Sequence, residues 1–101
     1  MMTIVWSPRA IRRLREYARN LAEYDYPETA VNWLNKVRSE SEILSDHPQL
    51  GPVSPEFIGK RPVVRDLTIG NYRLFYRVRR DHVEIISIHN CKQAITSLRS
   101  L

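Results

Sequence analysis

The sequence has one cysteine, Cys91, among 101 residues. No internal disulfide can form, so the fold has to stand on its core alone, as in proteins of the reducing cytosol. Glycine is scarce, and Gly51, Gly59 and Gly70 lie far apart. That excludes a Gly-rich phosphate loop. No apolar run approaches the roughly 20 residues of a membrane-spanning helix. The opening MMTIVWSPRA lacks the charged start and apolar stretch of a signal peptide. Paired carboxylates, repeats, linkers and low-complexity segments are all missing. A soluble, cytoplasmic protein with a single domain over residues 1–101 is expected.

Negative charge is short as well. Sixteen Lys and Arg stand against eleven Asp and Glu, a net charge of +5. Thirteen of the sixteen are arginines, the planar donor suited to phosphate and carboxylate. The excess suits an anionic partner, whether nucleic acid, an acidic protein surface or lipid headgroups. It is concentrated between Phe57 and Arg80, where Lys60, Arg61, Arg65, Arg73, Arg77, Arg79 and Arg80 meet one acid, Asp66.

Residues 2–6, MTIVW, read as a short strand. Ser7-Pro8 then starts a helix, Ser7 as cap and Pro8 at the first helical position. Ile11, Leu14, Ala18 and Leu21 follow at helical spacing, and the helix ends near Tyr24. Asp25-Tyr26-Pro27 breaks the chain. Ala30, Leu34, Val37, Ser41 and Leu44 form a second helical stripe, stopped by Pro48 and Gly51. So short a connection pairs the helices as an antiparallel hairpin. Residues 48–60 read as irregular loop, and strands are expected near 61–69, 72–79 and 82–89. Gly70-Asn71 and Arg80-Asp81 join them tightly into an antiparallel meander. The tail from residue 90 has room for one helical turn. The fold class is α+β: a short N-terminal strand, an antiparallel helical hairpin, then a three-stranded antiparallel meander.

Strand alternation puts Tyr72, Leu74, Tyr76 and Val78 on one face and Arg73, Phe75, Arg77 and Arg79 on the other. The helical hairpin covers the first. Nothing in the chain is left over to cover the second, so it is expected to stay open and to serve a partner. A turn at Arg80-Asp81 would set Arg77 opposite Glu84, Phe75 opposite Ile86 and Arg73 opposite Ile88. Trp6 and Trp33 occupy core-like positions. His89-x-Cys91 supplies two metal ligands where a site needs at least three. A Cys91 nucleophile would have His89 as a base but no orienting acid after it. One enzymatic route stays open, metal-free RNA cleavage. In it Arg73 would stabilise the phosphate, and His89 or Lys92 would move protons.

Three stretches together carry a resemblance: IVWSPRAIRRL, DHPQLGP, and VVRDLTIGNYRLFYRV followed by DHVEIISIHN. With these the chain resembles the RelE/ParE superfamily of toxins from type II toxin–antitoxin, or plasmid-stabilisation, modules, over its full length. RelE-like members cut mRNA in the ribosome, ParE-like members poison DNA gyrase, and a small acidic antitoxin neutralises both. Arg73 matches the central arginine of the RelE-like nucleases. Their lysine positions fall on Val64 and Asp66, their later arginine on Gln93 and their tyrosine on Arg99. The ParE-like pattern fits better, in Pro48 to Gly51, Arg65 to Arg73, and His89 with Lys92. It departs at Asn90-Cys91-Lys92-Gln93, where a Gly and two arginines are usual.

The resemblance thus favours a ParE-like inhibitor of DNA gyrase or another protein target, which is not an enzyme. The alternative is a ribosome-dependent endoribonuclease acting on mRNA through Arg65, Arg73, His89 and Lys92. Either way, Arg65, Arg73, Phe75, Arg77, Ile86 and Ile88 are the expected antitoxin- or target-binding residues. No cofactor, metal or membrane is implied.

Overall fold

In the computed structural model, residues 1–92 are described. Strand β1 (Thr3–Trp6) leads into α1 (Pro8–Tyr24) and α2 (Pro27–Glu42), which runs on as a 3-10 turn, Ile43–Ser45. Strands β2 (Val64–Ile69), β3 (Tyr72–Val78) and β4 (His82–Asn90) follow. The helical hairpin and the meander are as expected from the sequence. The N-terminal strand joins them: it lies parallel to β4, giving a four-stranded sheet in the order β1-β4-β3-β2. The helical turn for which the tail from residue 90 has room falls mostly on residues 93–101, outside the described residues.

Local chemistry explains these elements. Ser7 caps α1, its Oγ accepting from the Ala10 amide at 3.1 Å, with Pro8 next to it. The β2–β3 turn rests on Gly70, whose φ of +59° sits where a hairpin turn needs a residue without a side chain. The strand expected from residue 61 begins only at Val64. Pro62 has no N–H to give to a ladder.

The main core lies between the helices and one sheet face. Leu74, Tyr76, Val83, Ile85 and Ile88 meet Ala10, Val37 and Leu44 there. Trp6 and Trp33 pack against it, Trp33 within a ring cluster with Tyr17 and Tyr72. Helix α1 also closes a sheet edge. Strand β1 has four residues and β4 has nine, so β4 runs on beyond its parallel partner. The start of α1 supplies the missing donors. The Ser7 amide bonds the Ile85 carbonyl at 2.9 Å, the Ser7 hydroxyl donates to Ile86 at 2.9 Å, and Arg13 Nε donates to Ile88 at 2.9 Å. A buried strand edge is thereby satisfied without a further strand.

Candidate functional site

The face expected to be open is half closed. Residues 48–60 are not loose loop but a strap laid across β2 onto the far side of the sheet. The Ser54 amide bonds the Val64 carbonyl at 2.8 Å, and the Asp66 amide bonds the Pro52 carbonyl at 3.1 Å. The Gly51 amide reaches through to the buried Tyr76 hydroxyl at 2.9 Å. A 3-10 turn, Pro55–Phe57, then sets the Phe57 ring edge-on against Phe75, centroids 5.4 Å apart. Phe57, Val64, Phe75 and Ile86 form a second small core, in which Phe75 is 0% exposed. Phe75 therefore presents no surface to a partner, which corrects the expectation.

The register shifts too. Arg77 does pair with Glu84, but an irregularity between Phe75 and Tyr76 sets Phe75 opposite Ser87 and Arg73 opposite His89. One extra residue in β4 moves every later side chain to the other face. Ile88 consequently points into the main core at 0% exposure, and Ile86 reaches the small core at 8%. Arg65 pairs with Tyr76, so it lies on the helix side of the sheet, donating through Nη1 to the Gly51 carbonyl at 2.8 Å. Of the proposed nuclease set, only Arg73 and His89 are neighbours. His89 is buried, with Nδ1 3.2 Å from Arg13 Nη2. Lys92 is exposed beyond the end of β4.

Arg73 is the best-organised charge of this face. Its two terminal nitrogens grip both oxygens of Glu56 in the strap, the Nη2–Oε2 contact measuring 2.9 Å. Nη2 also donates to Asp66 Oδ2 at 2.6 Å, and the guanidinium lies 5.0 Å from the Phe75 ring centroid. The Arg73 side chain keeps only 20% exposure. Glu56, then Asp66, raises the guanidinium's affinity for its proton, so it is permanently charged. Two carboxylates surround that one cation, and the cluster as a whole is negative. Glu56 and Phe57 were both missed as site residues, because the strap's proline and glycine content reads as loop. Asp66 was legible: in a hairpin turning at Gly70-Asn71 it lies diagonally from Arg73 on the same face.

The Arg73 hydrogen bonds hold the Glu56 carboxyl at about 2, against an ordinary 4.5. A carboxyl with a lower pKa in the folded state stabilises the fold above its unfolded pKa. That contribution fades as the pH falls towards the folded value. Because Glu56 is partly exposed, screening keeps the contribution to about 1 kcal/mol. Urea unfolding of wild type and Glu56→Gln should differ by about that amount above roughly pH 5, and the two curves should converge towards about pH 2.

A strand, a helical hairpin and an antiparallel meander with an arginine-bearing central strand define the RelE/ParE-like class of toxin folds. The family model for the ParE toxin of the type II toxin–antitoxin system, parDE, matches residues 4–95. The chain belongs to the ParE toxin family. A chain from the chromosomal ParDE toxin–antitoxin system of P. aeruginosa has the same fold, with a TM-score of 0.74 and 22% identity over 89% of this chain and 96% of that one. No protein of curated function matches this chain significantly by sequence. Among the described residues, no helix is long and apolar enough to cross a membrane.

Proposed function

We propose that this chain is a toxin that acts by binding a protein target, DNA gyrase, in the cytoplasm, and that an acidic antitoxin neutralises it. The observation that carries this reading is the condition of Arg73. A nuclease of the RelE-like kind needs that arginine free to meet a phosphorane, where charge develops in the transition state. Here it is already saturated by Glu56 and Asp66. An RNA phosphate approaching it would have to displace one carboxylate and would be repelled by the other. Of the other expected nuclease residues, His89 lies across from it but is buried, and Arg65 and Lys92 are not brought to it. Arg73 instead has the position of a bolt between strap and sheet. Membership of the ParE family supports the same branch, and the net charge of +5 suits an acidic partner.

Purified chain added to a gyrase supercoiling assay should inhibit it, and antitoxin should relieve the inhibition. A folded, toxic protein that leaves gyrase untouched, but cleaves mRNA during translation, would overturn the reading.

A further inference from the structure

The strap covers only part of the far face. The part nearer the Arg80-Asp81 turn has a different character. One row of residues crosses all four strands there: Val5, Glu84, Arg77 and Val64 lie in register. Beside it lies a second row, where Thr3 pairs with His82 and the Arg79 amide bonds the His82 carbonyl. The charges in these rows do not pair as the register suggests. Glu84 stands across from Arg77, yet its Oε1 accepts from Arg79 Nε at 3.1 Å and Nη2 at 3.0 Å. The other local carboxylate, Asp81, is 2.7 Å from His82 Nδ1. Both acids are committed, and among the described residues Arg77 and Arg80 are left over.

Arg77 is the informative one. Its Nε is shut off from water and has no hydrogen-bond partner among the described residues. The side chain is only half-buried, so the rest of the guanidinium remains accessible. The accessible terminal nitrogens are charged donors with no carboxylate to receive them among the described residues, since Glu84 is taken by Arg79. Val5, in the same row, is 43% exposed and offers an apolar contact.

We propose that Arg77 is the receptor for a carboxylate of the antitoxin, which lies across the uncovered half of the far face. This rests on the functional reading above and names the contact it uses. The partner's acid meets the accessible terminal nitrogens of Arg77, which Glu84 does not engage, and an apolar side chain beside that acid rests on Val5. Arg80, exposed at the turn, adds attraction at the rim. Arg73 takes no part, because its own carboxylates exclude another.

The test measures affinity of the chain for the antitoxin co-expressed with it. Arg77→Gln should weaken binding by about tenfold or more, as loss of one partner of a desolvated charge pair does. Arg12→Gln, an exposed charge on α1, should change it by less than about twofold. In wild type, the terminal guanidinium N–H resonances of Arg77 should move downfield and exchange more slowly with water once antitoxin is added. This readout does not depend on how any variant folds. Arg77→Gln binding like Arg12→Gln, with unmoved terminal N–H resonances in wild type, overturns the proposal. So does an Arg77→Gln chain that keeps antitoxin but loses binding to a polyuridine probe, since the acceptor would then be phosphate. If wild type binds no antitoxin at all, the functional reading fails instead.

Discussion

Gly51→Ala should lower the unfolding free energy by about 3–5 kcal/mol, among the largest single-residue effects expected in the chain. A Cβ built on Gly51 would lie 2.3 Å from the Asp66 carbonyl oxygen and 2.8 Å from the Tyr76 hydroxyl. Neither neighbour can give way. The first is strand backbone, and the second is the end of a fully buried ring. The strap would have to lift, which breaks the Gly51 amide's bond to Tyr76 and the Arg65 bond to the Gly51 carbonyl. Lifting it would also uncover Phe57 and Phe75. Gly59 makes the contrast. It has φ +89° but nothing within 4 Å of an added Cβ, so Gly59→Ala should cost only about 1–2 kcal/mol, from backbone conformation alone. Urea unfolding of the two variants decides it. Equal, small losses would mean the strap is not held as described.

Arg73→Ala should cost about 2–4 kcal/mol, because it strands Asp66 as well as freeing the strap. The Asp66 side chain is only 8% exposed, and the guanidinium is its side-chain partner. A buried carboxylate left without a donor is penalised more than the lost contact itself. Changing Asp66 to Asn alongside Arg73→Ala should therefore recover part of the loss, a non-additive result within one network. Unfolding curves for the two singles and the double measure it. The nuclease reading expects the opposite pattern, with stability kept and activity gone. A stable but inactive Arg73→Ala chain would return Arg73 to catalysis.

Both predictions concern the part of the molecule that the sequence discloses least. The helix start at Ser7-Pro8, the break at Asp25-Tyr26-Pro27 and the two tight strand links are signalled by residues within a few positions of where they act. Each is where it was expected. The strap was hidden because Pro48, Gly51, Pro52, Pro55 and Gly59 disrupt any periodic pattern, and periodicity is what marks a buried element. Its anchor, Phe57, is one apolar residue in a polar setting. The extra residue at Ile86 was invisible for a related reason. A run such as VEIISIHN is apolar on both faces, so alternation does not reveal where the register slips.

What the sequence determined by itself was local and additive: the order of elements, the helical hairpin, the meander, the +5 charge and the absence of a disulfide framework. These follow from propensities, caps and turn residues that act over one or two turns of chain. Tertiary structure alone decided which arginine is occupied and which is vacant. Arg73 and Arg77 are four residues apart on the same strand and face, and nothing in the sequence ranks them. A strap arriving from 17 residues upstream brings Glu56 to Arg73. Five residues downstream of Arg79, Glu84 curls back to it and leaves Arg77 without an acceptor among the described residues. Charge pairing of that kind is settled by which side chains the closed chain brings within about 3 Å of each other.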